Sequence, residues 1–264
     1  MILVTGATGY LGSELMRQGG KDVAGTSASR DGVDIRNREA VAKRVARAKP
    51  SVVIHTAYRQ HDDDAHAINV QGAANVAAAA HDAGARLIHI SSDLVFRGGL
   101  GRPLTEDDPV DPITDYGRTK RDGELAVRAA HPNALIVRTS LIYGGPGHPD
   151  GPSNHERFAL EAARGEREAM FFANELRSPV QVSDLAYALL RLAKFDIAGT
   201  LHVAGSDPVD RYEFARLIAA AYGEHPGRLV AGESGPDRPA DCALDSSKAQ
   251  SLGIELRGVR AVLA

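Results

Sequence analysis

The chain has 264 residues, 43% of them hydrophobic and 25% charged, with a formal net charge of -3. This balance excludes a disordered chain and offers no field for nucleic acid or an acidic membrane surface. The single cysteine, Cys242, can form no internal disulfide, no signal peptide is read, and no stretch approaches the roughly 20 apolar residues of a membrane span; a cytoplasmic protein is expected.

Short β-branched runs over 2–5, 22–26, 52–56, 87–91 and 134–139 read as strands, apolar enough to be covered on both faces. Helical periods over 10–18, 36–48, 64–83 and 115–130 alternate with them, Asp115 being the expected N-cap of the last and Gly84 the C-cap after the alanine run. Strand–helix alternation with right-handed crossovers predicts an α/β fold, a doubly wound parallel sheet over residues 1–143. The segment GGPGHPDGPSN at 144–154 holds too many backbone breakers for a helix or central strand, and reads as a boundary or a mobile lid. Residues 144–264 then form mostly a smaller α/β substrate lobe, with helices at 156–164, 183–195 and 210–222, strands at 169–172 and 200–203, and segments packing back on the sheet.

The first strand runs into GATGYLG, and glycines in that position permit a tight turn and bring backbone N–H groups and a helix dipole onto a pyrophosphate. A dinucleotide is the expected ligand, with Gly6, Thr8, Gly9, Tyr10, Leu11 and Gly12 as contacts. Sites that prefer NAD place Asp or Glu where the second strand ends; here the chain reads GTSASR, so Ser27 and Arg30 are expected to hold the 2′-phosphate of NADP(H). Asp34 either accepts from the adenine amine or caps the following helix; Ile35 is a further expected cofactor contact, and Thr56, Ala57 and Tyr58 at the carboxyl end of the third strand either contact cofactor or substrate or simply pack the loop.

Tyr116 and Lys120 in YGRTK stand at i and i+4 on one helical face, close enough for an ammonium to ease ionisation of a phenol. With Ser91 and Ser92 closing another strand, this constellation suits proton transfer to a carbonyl oxygen. The motifs TGATGYLG, ISSDLVF (90–96), YGRTKRDGE (116–124), VRTSLIYG (137–144), RSPVQVSDLA (177–186), GTLHVAG (199–205) and RPADCALD (238–245) together resemble the extended short-chain dehydrogenase/reductase superfamily. Within it the nearest resemblance is to dTDP-4-dehydrorhamnose reductases and their relatives.

That resemblance implies a Rossmann-type domain and hydride transfer from NADPH to the keto carbon of a nucleotide-linked 4-keto-6-deoxysugar. Tyr116 would protonate the oxygen, Lys120 would bind the nicotinamide ribose and tune Tyr116, and Ser92 would hold the carbonyl. Both Tyr116 and Lys120 then also count as cofactor contacts. Asp93, Leu94, Leu141, Arg177 and Arg238 fall on the substrate side. Leu94 and Leu141 depart from the family pattern, which places Tyr and an aromatic there. Arg177 and Arg238 are read either as phosphate ligands or as surface ion pairs. A homodimer is the expected assembly. Two alternatives remain open: an NAD-dependent sugar-nucleotide epimerase or dehydratase, and a non-catalytic NADP-binding regulatory subunit. The ten histidines show no metal-ligand spacing, Cys242 has no activating base nearby, and the run Asp62, Asp63, Asp64 reads as a solvated loop.

Overall fold

The computed structural model describes residues 1–61 and 63–264, so Asp62 of the acidic run lies outside the described residues. In chain order the elements are β1 (Ile2–Thr5), α1 (Tyr10–Gly19), β2 (Val23–Thr26), α2 (Ala28–Asp31), α3 (Arg38–Ala48), β3 (Val52–His55), α4 (Ala73–Asp82), β4 (Arg86–Ser92), α5 (Asp115–Ala130) and β5 (Leu135–Thr139). They continue with β6 (Ile142–Tyr143), α6 (Asn154–Arg164), β7 (Met170–Phe172), β8 (Leu176–Arg177), β9 (Val180–Gln181), α7 (Val182–Leu192), β10 (Gly199–His202), β11 (Val209–Asp210), α8 (Arg211–Ala221), β12 (Val230–Gly232), α9 (Ser247–Ser251) and α10 (Val259–Leu263). The chain forms two compact units: Met1–Val95, Asp115–Arg138 and Ala186–Leu201 make the first, and Phe96–Thr114, Thr139–Leu185 and His202–Ala264 the second. This partition is finer than a single division after residue 143.

The first unit is built on the six-stranded sheet, order β10-β5-β4-β3-β1-β2. Strand β1 pairs in parallel with β2 and β3, and β3 with β4, so the carboxyl ends of β1, β3 and β4 share one edge. Helices lie on both sides of this mostly parallel sheet, a Rossmann-like arrangement. Leu3, Val53 and Leu87 are buried against Ala73, Val76, Ala77 and Ala80 of α4, all four fully buried. Small side chains on that helix let it lie close to the strands; each large strand residue contributes about 1.5–3 kcal/mol by leaving water.

The long helix expected over 64–83 is divided, with a π-helical segment at Ala67–Gly72 before α4. Buried Asn69 accounts for it: its side chain accepts from Arg59 N (2.8 Å) and donates to Arg59 O (2.7 Å) and Thr119 Oγ1 (2.9 Å), which holds one turn out of regular α geometry. On α5, a Cβ at Gly123 would stand 2.4 Å from Asn69 O, so glycine there permits the close approach of the two helices. Helix α3 starts at Arg38, two residues later than expected, because Asn37 caps it by accepting from Ala40 N.

In the second unit three two-stranded pairings, β11–β8, β12–β7 and β6–β9, accompany a core of Tyr143, Leu160, Phe171, Phe214 and Ile218. The glycine- and proline-rich segment at 144–154 is pinned at both ends. Glu156, fully buried, accepts from Gly144 N (3.0 Å), Gly145 N (2.8 Å) and Ser153 N (2.7 Å) as well as Tyr222 OH (3.1 Å). Ser153 completes a capping box with Glu156 at the start of α6. A lid pivoting on these ends would have to break that set of bonds.

Candidate active site

Gly6, at φ +77°, turns the chain after β1 where an added Cβ would lie 2.6 Å from Ala57 N. A Cβ at Gly12 would meet Gly6 O at 2.1 Å, so both positions demand glycine. Gly6 N and Ala7 N are spent on Thr26 O, whereas α1, opened by Tyr10, Leu11 and Gly12 behind Gly9, has no side-chain cap and no acid in its first turn. Among the described residues, the positive end of α1 therefore has no capping side chain and no first-turn acid, an arrangement that fits a pyrophosphate. Leu11 is buried, so its side chain serves the core and only its backbone is available to a ligand.

At the end of β2, three hydroxyls converge: Thr8 Oγ1 lies 3.3 Å from Ser27 Oγ and 3.0 Å from Ser29 Oγ, and the two serines lie 3.3 Å apart. Ser27 also caps α2 by accepting from Arg30 N. The exposed Arg30 guanidinium has no ion pair among the described residues, and the Arg30 backbone N–H donates to Ser27 Oγ of this hydroxyl cluster (3.1 Å). An acid does reach this strand end, contrary to the reading of GTSASR alone: Asp31 folds back to accept from Thr26 Oγ1 (2.8 Å) and Ser27 N (3.1 Å), and pairs with Arg44. Its hydrogen bonds hold its carboxyl below the ordinary range against the opposing pull of partial burial.

Asp34 is taken up by Arg36, whose guanidinium and backbone N–H all donate to it, and it caps no helix. Ile35 buries its side chain in the core, and its carbonyl accepts from Asn75 Nδ2. Thr56 donates to Thr5 O (2.8 Å), so its hydroxyl closes the junction of β1 and β3. Ala57 faces Gly6, and Tyr58 is 52% exposed with its ring 6.1 Å from that of Tyr116.

Strand β4 and helix α5 bring the catalytic candidates together. Tyr116 shares a hydrogen bond with the Ser92 hydroxyl, which also donates to Asp93 Oδ1 (3.0 Å) and accepts from Leu94 N (3.1 Å). Burial raises the Tyr116 pKa strongly, aided by the charges of Tyr58 and Asp93; the Ser92 bond opposes the rise. The phenol thus stays protonated through the neutral range, the form a proton donor requires. Lys120 is buried, and its ammonium donates to Ile90 O at 2.7 Å rather than turning to the phenol, a difference from the expected Lys-to-Tyr contact. Burial brings its pKa down to about 8, against the raising effect of Glu124, so it remains charged at neutral pH. His55 and His89, fully buried with ring centroids 5.1 Å apart, are kept neutral by burial and by the Lys120 charge, His55 down to about 3.

Two residues of this neighbourhood, Glu124 and Arg138, are not singled out by the sequence. Ser91 Oγ donates to Glu124 Oε1 (2.5 Å), and Arg138 donates to both Glu124 oxygens (3.0 and 2.8 Å), with Glu124 and Arg138 each 4% exposed. Glu124 follows Lys120 by one helical turn; that spacing was the available signal, whereas its pairing with Arg138 on β5 is long-range. Removing one partner of such a buried pair costs about 3–5 kcal/mol.

On the substrate side, Asp93 is buried against Ser92 and Leu94 is half-buried beside it. In the second unit, half-buried Leu141 packs on the Tyr143–Phe214 core. Arg177 is buried and donates to Leu176 O, Ala240 O and Pro239 O, so its guanidinium holds the 239–240 backbone; it is neither a surface ion pair nor an open phosphate ligand. Arg238 is half-exposed, pairs with Glu175 (2.5 Å), stacks 4.9 Å from the Phe172 ring, and lines a 270 Å³ cavity with Arg97 and Asn174.

Comparison with known proteins gives the relatives of this chain. The chain is 36% identical to a dTDP-4-dehydrorhamnose reductase of Mycolicibacterium smegmatis over 96% of its length and 80% of that protein. It is 33% identical to the spore coat polysaccharide biosynthesis protein SpsK of Bacillus subtilis, over 99% of this chain and 95% of the relative. A crystal structure of dTDP-4-dehydrorhamnose reductase from Bacillus anthracis in complex with NADP superposes with a TM-score of 0.86 at 27% identity, covering 99% of this chain and 95% of that one. The family described as RmlD substrate binding domain matches residues 1–264, and with the glycine loop and the Ser92, Tyr116 and Lys120 cluster in place, the chain belongs to that family.

Proposed function

We propose that this protein is an NADPH-dependent ketoreductase acting on a nucleotide-linked 4-keto-6-deoxysugar of the dTDP-4-dehydrorhamnose type. The observation that carries the reading is the protonated Tyr116 phenol bonded to Ser92, with the Lys120 ammonium one helical turn away. NADPH, when bound, supplies the hydride. As hydride reaches the keto carbon, charge develops on the oxygen; Ser92 and Tyr116 donate to it, and Tyr116 delivers its proton. Lys120, charged at neutral pH, holds the nicotinamide ribose and offsets the phenolate left behind. The α1 N-terminus takes the pyrophosphate, while Arg30 with Thr8, Ser27 and Ser29 takes the 2′-phosphate. Arg238, beside the cavity in the second unit, is the remaining candidate for the substrate's phosphates. Cytoplasmic residence accords with a lone, buried cysteine.

The test is NADPH oxidation with purified protein against a panel of nucleotide 4-ketosugars. Turnover is expected with dTDP-4-dehydrorhamnose or a close analogue. Tyr116→Phe is expected to lower it by about 10²–10⁴-fold with NADPH affinity nearly unchanged. A sample that retains NAD through dialysis and does not consume NADPH would favour the epimerase alternative; a Tyr116→Phe variant with most of its turnover would remove the proposed proton donor.

A further inference from the structure

Glu124, Arg138 and Ser91 lie directly behind the reacting groups, and nothing in the reduction as described uses them. Ser91 precedes Ser92 on β4; Glu124 follows Lys120 by one turn on α5; Arg138 stands on β5. The carboxylate thus ties the strand that carries Ser92 to the helix that carries Tyr116 and Lys120, through a 2.5 Å bond on one side and two guanidinium bonds on the other. Resting on the reductase reading, we propose that Glu124 is a positioning residue: its clamp sets the Ser92–Tyr116 geometry, and its charge keeps the neighbouring Lys120 protonated at working pH.

The physical case has two parts. Ser91 and Arg138 fix the Glu124 carboxylate in one orientation, so the strand end and the helix cannot slide independently without leaving a buried charge unpaired. Apart from Ile90 O, which accepts from the ammonium, the titratable groups around Lys120 are otherwise unhelpful to its charge. His55 on β3 and His89 on β4 are neutral, Tyr116 and Tyr58 are protonated phenols, and Asp93 is engaged by Ser92. Burial depresses the lysine's affinity for its proton, and the Glu124 charge is the one that raises it. Arg138 neutralises the pair as a whole but binds the carboxylate from another element, leaving a short i to i+4 separation between Glu124 and Lys120 on α5.

The experiment compares wild type, Glu124→Gln, Glu124→Asp and the double variant Glu124→Gln/Arg138→Met. Lys120 is titrated in the unliganded protein by NMR of lysine labelled at Cε, a readout that stands whether or not the reductase reading holds. Glu124→Gln is expected to lower the Lys120 pKa and, in turnover, to move the basic limb of the kcat profile to lower pH, with at least threefold loss at pH 8 and little at pH 6.5. Glu124→Asp is expected to return the limb toward its wild-type position. Since Glu124→Gln removes the carboxylate that Arg138 binds, the double variant is the control for folding: recovery of Tm with a persistent Lys120 shift supports the proposal. Recovery of both Tm and the wild-type titration would reduce the clamp to a structural role and overturn it. So would an unshifted Lys120 in a folded Glu124→Gln protein. Absence of turnover in wild type would count against the reductase reading and leave the Lys120 titration to decide this proposal.

Discussion

Two glycine-rich loops in this chain each run into the N-terminus of a helix, and they dispose of their backbone donors in opposite ways. GATGYLG leads into α1 with no side-chain cap and no first-turn acid. GGPGHPDGPSN leads into α6 with a capping box, and the buried Glu156 collects the amides of Gly144, Gly145 and Ser153. Among the described residues the first loop holds no carboxylate at its helix start; the second already contains one. Glycine content therefore does not distinguish a ligand cradle from a structural turn, and the presence or absence of an internal carboxylate does.

This contrast is open to direct attack, beginning where the largest effect is expected. Gly12→Ala places a Cβ against the backbone at Gly6 O and is expected to weaken NADPH binding at least about 100-fold, roughly 2.7 kcal/mol, by isothermal calorimetry. Near-normal affinity would mean that the loop does not approach the dinucleotide. Glu156→Gln turns an amide donor toward three backbone donors and the Tyr222 hydroxyl. Leaving even one or two of these groups unsatisfied costs about 3 kcal/mol, a Tm lower by roughly 6–12 °C, with NADPH affinity unchanged. A large loss of NADPH affinity in that variant would merge the two loops into one function.

Smaller effects refine the picture. Arg30→Ala is expected to weaken NADPH by about tenfold and leave NADH unchanged, since only the 2′-phosphate loses a charged donor. Equal loss for both cofactors would place the 2′-phosphate elsewhere. In hydrogen exchange, the amides of Gly144, Gly145 and Ser153 are expected to be protected in the free protein, whereas those opening α1 gain protection only with NADP. Fast exchange at Gly145 and Ser153 without ligand would restore the hinged lid anticipated from composition.

The glycine turn, the Tyr116 and Lys120 pair and the strand–helix alternation were all legible because each is a short-range pattern. Strand β1 and helix α5 begin and end where the residue pattern places them. The alanine-rich helix reads as continuous in the sequence because the cause of its π segment, Asn69 reaching Arg59 and Thr119, joins residues 10 and 50 positions apart. The place of Arg177 is likewise a long-range matter: the chain some 60 residues later supplies the carbonyls that its guanidinium engages.

What the sequence by itself determined is local: the period of each element, the turn that only glycine at Gly6 can make, and the helical spacing that sets Tyr116 over Lys120. Tertiary structure alone decided which charged groups are spent and which remain available. Asp31 is consumed by Thr26, Ser27 and Arg44, while Arg30, one residue before it, is not paired among the described residues. Glu124 and Glu156 look like ordinary helix-surface acids in the linear chain, yet each is buried and fully engaged. The reason is physical: a carboxylate can leave water only where several donors converge, and those donors come from separate parts of the chain that folding alone brings together.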